Sequence, residues 1–252
     1  MTLNNLFQKV RQSSKGQKSF NRLPSLIAVF GPILLPVKTY CTAKYFIIGV
    51  FVSAAFQLTA QVPKTPMKDI NGFKEKLANM SEKINTIESD FIQEKNLSIL
   101  SNKIISRGDF CYRKENNIRW EYHQPYQYLI IISNDKIFIK EDKSQKQYDI
   151  QSNKMFQEMN KFISGCIQGD ILKNEKEYKV GYFEDEKSYY VSLIPNAEKM
   201  RQMLNEVQIW FNRNDLTVTR IIMLESGGDY TKIEFTNKKL NTEIPVEKFS
   251  FK

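Results

Sequence analysis

The 252-residue chain has a single histidine, His123. It stands directly before Gln124 and Pro125, where a strand pattern stops, and reads as a strand-end residue. A His-based triad and a His-rich metal site are therefore excluded. Cysteine is scarce as well. Cys41, Cys111 and Cys166 have no metal-ligand spacing. An oxidising compartment would allow Cys111 and Cys166 to pair, but two small apolar core residues is the plainer reading. Glycine is limited to 10 residues, and no Gly-rich phosphate loop occurs. Glu115 with Glu121, and Asp185 with Glu186, are neighbours in turns or strands and read as solvated surface. No catalytic residue, metal or cofactor is expected, and the chain is not read as an enzyme.

Negative charge is missing from one whole region. Residues 1–60 hold seven Lys and Arg and no Asp or Glu. Taking those seven from 37 leaves 30 basic against 28 acidic residues, a net of +2, so most of the overall +9 belongs to the leader. It is no argument for nucleic-acid binding. Long apolar runs are also lacking. Residues 45–56 are too few to span a bilayer, which needs about 20. They have the length of a signal-peptide core, with Lys44 before them and Leu58-Thr59-Ala60 as the cleavage region. A signal peptide is expected over about 44–60, cut before Gln61, with export from the cytoplasm. Residues 1–43 fit poorly as its start: a second apolar run, 23–37, is broken by Pro24, Pro32 and Pro36. No Met occurs between Met1 and Met67, so a mis-assigned start, with a non-ATG codon near Lys44, is preferred over an extended leader. Residues 61–252 are read as a single domain.

What is present is β pattern framed by two helical stretches. In 67–87, Ile70, Phe73, Leu77, Met80, Ile84 and Ile87 recur at three and four residues and predict an amphipathic helix, with Asp69 at its cap. Strands are expected over 89–95, 103–112, 118–122, 128–132, 136–139 and 148–150. A second helical pattern, 153–172, carries Met155, Phe156, Met159, Phe162, Ile163 and Cys166 or Ile167, and its Gly165 and Gly169 suggest two short helices. Strands resume over 178–183, 188–194, 207–211, 218–224, 230–235 and 249–251. No parallel βαβ alternation occurs. A sheet this long curls, and the two helical stretches are the elements available to cover its concave face. The fold class is α+β, mainly antiparallel β: an incomplete, open β-barrel closed by a helical lid. The lid would then set Met155, Phe156, Met159 and Phe162 against Phe91, Phe110, Ile118 and Trp120. Met suits a surface that receives irregular apolar ligands. On pattern alone a filled core explains the same stripe.

The central stretch, 106–125, is SRGDFCYRKENNIRWEYHQP. It contains Gly108-Asp109-Phe110, Ile118-x-Trp120 and Gln124-Pro125. Around it stand Phe91-x-Gln93, Ser133-Asn134-Asp135, Gln208-Ile209-x-Phe211, Ile244-Pro245 and Phe249-x-Phe251. In this order the phrases resemble the LolA family of outer-membrane lipoprotein carriers, over about 68–252. The resemblance implies a hydrophobic cavity for acyl chains, lined here by Phe91, Phe110, Ile118, Trp120, Met155, Phe156, Met159, Phe162 and Ile163. It implies acylated lipoproteins or lipids as cargo, an inner-membrane ABC exporter and an outer-membrane acceptor as partners, and a monomer. The family often has Arg-Pro after the Gly-Asp-aromatic strand, the Arg holding the lid through backbone carbonyls. Lys114-Glu115 aligns there, so Lys114 or Arg113 takes that role. Lys lacks the planar fork of Arg. A carrier of another lipid or pigment precursor on the same fold, and a structural β protein with a filled core, both stay open.

Overall fold

Alternation of apolar and polar residues builds twelve strands of the described residues into one antiparallel sheet. The computed structural model describes residues 65–251, apart from 142, 143, 153, 174, 175 and 226. The expected leader, 1–60, lies outside the described residues. The strands are β1 (Thr65–Pro66), β2 (Thr86–Asn96), β3 (Ile104–Arg113), β4 (Asn117–Gln124), β5 (Tyr128–Ser133), β6 (Lys136–Glu141) and β7 (Ser144–Asp149). They continue as β8 (Tyr178–Glu184), β9 (Ser188–Pro195), β10 (Leu204–Asn212), β11 (Val218–Glu225) and β12 (Tyr230–Leu240). Their order is β1-β8-β9-β10-β11-β12-β2-β3-β4-β5-β6-β7. β1 and β7 are its two edges, so the sheet is open. Neighbours pair mostly through short hairpins, and the β12–β2 ladder joins the two halves. The β5–β6 turn places Asn134 and Asp135 at φ 50 and 58, as a two-residue hairpin loop requires.

Helices α1 (Ile70–Lys83) and α2 (Lys154–Gln168) cover the concave face, and a short α3 (Glu198–Arg201) precedes β10. The Asp69 side chain caps α1 by accepting from the Gly72 amide at 2.8 Å. α1 is shorter than the expected 67–87. Ile84 is already extended, at φ −85 and ψ 112, and Ile87 belongs to β2, whose concave face continued the helical spacing by coincidence. α2 runs unbroken through Gly165, contrary to the expected division there. An interior Gly costs a helix only about 1 kcal/mol, which burial of Phe162, Ile163 and Cys166 outweighs. The break comes at Gly169, at φ 74, and leads into a 3-10 turn, Asp170–Lys173. A side chain at Gly165 would approach Ile171 to 3.2 Å, so this glycine lets the turn fold back on the helix.

The expected strand over 249–251 is not formed. Val246–Phe249 is a 3-10 turn after Pro245, and it straps the convex face. Ile244 and Phe249 close a second, small core with Cys111, Ile131 and Phe138, and the Phe251 ring lies 5.3 Å from that of Phe138. The main core lies between the concave face and the two helices. Cys166 belongs to the main core and Cys111 to the small one; both are buried free thiols, on opposite faces of the sheet.

Candidate functional site

The β3–β4 hairpin supplies the floor of the site. Phe110 and Trp120 are cross-strand partners with ring centroids 5.2 Å apart at 73°. Phe235 of β12 stands 5.6 Å from Phe110 and 6.0 Å from Trp120, also edge to face. Such contacts hold aromatic rings at fixed angles. Ile221 and Met223 of β11 and Ile233 of β12 extend the wall. From above, α2 presents Phe162, Ile163, Cys166 and Ile167, one helix face. Burial pushes the Cys166 thiol far up, which leaves it an apolar wall residue.

The result is an apolar cavity of about 60 Å³ between sheet and lid. That is well below the roughly 150 Å³ that takes up a benzene ring. A long apolar ligand does not fit the space enclosed in this arrangement of sheet and helix. Three polar side chains, Ser89, Thr217 and Lys238, also line the cavity.

The tip of the β3–β4 hairpin touches both helices. The Lys114 ammonium donates to the Glu82 carbonyl at 2.9 Å, in the last turn of α1, where the helix dipole favours a cation. The Lys114 amide donates to the Asn85 carbonyl at 2.7 Å. The Asn116 amide donates to Asn160 Oδ1 at 3.1 Å, and Asn116 Oδ1 accepts from the Ser164 hydroxyl. Asn160 and Ser164 are one turn apart on α2. Glu115 and Asn116 are left-handed, at φ 72 and 67, and this turns the amide toward α2. α1 is anchored more deeply than α2. Its Phe73 ring packs 4.8 Å from Tyr189 and 5.7 Å from Phe211.

Of the residues expected from sequence, Phe110, Trp120, Phe162 and Ile163 meet at the cavity. Phe91 and Ile118 are each 1% exposed and sit in the main core rather than at the cavity wall; the Phe91 ring supports Trp120 at 5.4 Å. The side chains of Met155, Phe156 and Met159 lie outside the described residues. Lys114 reaches α1, whereas Arg113 ends the β2–β3 ladder opposite Thr86. Sequence reasoning missed Ile221, Met223, Ile233 and Phe235, although the period of two in β11 and β12 carries that signal. It also missed Ser89, Thr217, Lys238 and the Asn116 contacts.

The family model described as "Outer membrane lipoprotein carrier protein LolA" matches residues 82–252. The chain belongs to this family. Among curated proteins, the outer-membrane lipoprotein carrier protein of Bordetella avium (strain 197N) is 20% identical over 206 residues, 79% of this chain and 90% of that protein. Among solved structures, the Pseudomonas aeruginosa MucA/MucB complex matches at 12% identity and TM-score 0.46, over 72% of this chain and 60% of that one. A LolA superfamily protein from Nitrosomonas europaea matches at 11% identity and TM-score 0.39, over 71% and 97%. The Mycobacterium tuberculosis lipoprotein LppX matches at 10% identity and TM-score 0.40, over 69% and 98%. The LolA family fold, a mostly antiparallel open sheet with a helical cover, is the fold of this chain.

Proposed function

We propose that this protein is a periplasmic carrier that takes lipoprotein acyl chains into the cavity under α2 and ferries them from the inner to the outer membrane. One observation carries the reading: an apolar cavity lies between an aromatic floor and a covering helix. No catalytic function is assigned to the site.

The magnitudes suit a carrier. Each buried methylene contributes about 0.8 kcal/mol, so a long acyl chain gains on the order of 10 kcal/mol on leaving water. Lifting α2 exposes Phe162, Ile163 and Cys166, which offsets part of that gain. The difference leaves binding reversible, as transfer to an acceptor demands. α2 is the moving part and α1 the fixed one, because four α2 side chains line the cavity while Phe73 roots α1 among Tyr182, Tyr189 and Phe211. Lys114 and Asn116 hold the two helices in the closed state. Loading by an inner-membrane ABC exporter and delivery to an outer-membrane acceptor complete the route, and the carrier works as a monomer. Export by a signal peptide cut before Gln61 would bring the protein to that compartment.

Native mass spectrometry with lipid extraction, on protein purified from a periplasmic fraction, tests this. Bound acylated peptide is the expected result. A bound lipid of another class would keep the carrier and change its cargo. Protein that is empty and also refuses an apolar fluorescent probe would mean a filled core. Phe162→Asp, which sets an unpaired carboxylate at the cavity, is expected to abolish probe uptake in a folded protein.

A further inference from the structure

The β12–β2 ladder is interrupted at one place, and the interruption changes what faces the cavity. Up to Thr236, which pairs with Asp90, the concave residues of β12 are Thr231, Ile233 and Phe235. Beyond it, Lys239 pairs with Glu88 and Leu240 with Ile87, so one extra residue has entered β12. Asn237, at φ 52, is left-handed there, and its side-chain amide donates to Asp90 Oδ2 at 2.6 Å on the outside. A bulge of this kind reverses the alternation of every residue after it. Lys238 would otherwise lie on the convex face with Thr236. It turns instead onto the concave face with Leu240, where it lines the cavity together with Ser89.

Two polar groups thus line the same apolar cavity. The Ser89 residue is 5% exposed, and among the described residues its hydroxyl has no hydrogen-bond partner. Buried hydroxyls normally have one. The Lys238 side chain is 14% exposed. Its ammonium donates to the Thr217 hydroxyl and to the Val218 carbonyl at 3.4 Å. The nearest carboxylate oxygen, Asp215 Oδ1, is 4.0 Å away, beyond hydrogen-bond reach, and is already engaged by the Thr217 amide and hydroxyl. An ammonium has three hydrogens to donate. Burial pushes the Lys238 pKa down, with Asp215 opposing it, so a further negative partner would relieve a strained charge.

We infer that Ser89 and Lys238 form a head-group subsite for an oxyanion carried on an acyl chain, a carboxylate or a phosphate, so that acidic amphiphiles are a further ligand class of this cavity, held more tightly than a neutral ester of the same single chain. The inference rests on the cavity being an acyl site and adds a chemical class to its ligand. The chain would lie along the aromatic floor, with its charged end against the bulge.

Displacement of a neutral apolar fluorescent probe tests it, with palmitate, monopalmitoyl phosphatidic acid and methyl palmitate as competitors. For the unaltered protein both acids are expected to bind at least about tenfold more tightly than the ester, the scale of one charge-assisted hydrogen bond. Whichever acid binds more tightly identifies carboxylate or phosphate as the preferred head. Lys238→Met should bring acids and ester level. Lys239→Met, which removes the same charge from the outer face, should leave the preference intact. Ser89→Ala should reduce it, and serves alone if Lys238→Met fails to fold. Equal binding of acids and ester by the unaltered protein, or a preference that survives Lys238→Met, overturns the subsite while leaving the carrier intact. Failure of all three competitors and the probe to bind overturns the carrier reading and the subsite together.

Discussion

Gly108 shows how a single missing side chain sets the position of the site. An ideal Cβ there would fall 1.8 Å from the Glu121 carbonyl oxygen and 2.9 Å from Phe91 Cε1. The nearer obstacle is backbone, which cannot swing aside as a side chain can. The β3–β4 ladder also shifts register beside this residue, between Arg107 and Gly108. Gly108→Ala must part the hairpin that carries Phe110 and Trp120. We expect a loss of about 3 kcal/mol, the upper end of overpacking costs, and a fall in thermal midpoint of roughly 6–12 °C. An unchanged midpoint would mean that β3 and β4 separate freely here. The Gly-Asp-Phe phrase was visible in the sequence, but its reason was not, because the clash is with a residue 13 positions away. Lys238 is the opposite case. A strict period of two assigns it to solvent, and only the bulge at Asn237 turns it inward, so no reading by alternation finds it.

At the scale of elements, hairpins were legible because their turn residues are chemically marked. Asn134-Asp135 and Asn116-Asn117 announce reversals wherever alternating strands flank them. Helix ends were less legible. The concave residue Ile87 of β2 falls at helical spacing after Met80 and Ile84, so periodicity alone carries the helix into the strand. What joins the elements was legible only in part: the family resemblance pointed to Lys114, which reaches α1, but nothing in the pattern pointed to the Asn116 contacts with α2. Asn116→Ala removes two hydrogen bonds to α2, worth about 1–2 kcal/mol together. That should raise the open population about tenfold. Amide hydrogen exchange along α2 is expected to quicken by that factor while α1 keeps its rate. Equal acceleration in both helices would show that they open as one lid.

For the whole molecule, the sheet separates two cores that share no thiol. Cys166 lies under the lid and Cys111 under the C-terminal strap. Arg119 tethers the strap by donating to the Lys248 carbonyl at 3.1 Å, and Lys248 pairs with Glu88 at 2.9 Å. Phe249→Ala should loosen the strap alone. Timed thiol labelling is expected to find Cys111 reactive and Cys166 still protected; simultaneous labelling of both would mean that the two faces unfold together. The ladder between β12 and β2 has a further consequence. Thr231 pairs with Lys95 and Leu240 with Ile87, so residues nearly the length of the sheet-forming chain apart must find each other. Apart from the two-residue pairing of β1 with β8, every other ladder in the sheet links strands that are consecutive in the chain. The two halves can therefore form early, but the concave surface exists only after the last strand docks. Contacts of such long separation close slowly. Until they do, the half-sheets present unpaired edges and the apolar floor together, and the newly made chain is then at its most adhesive.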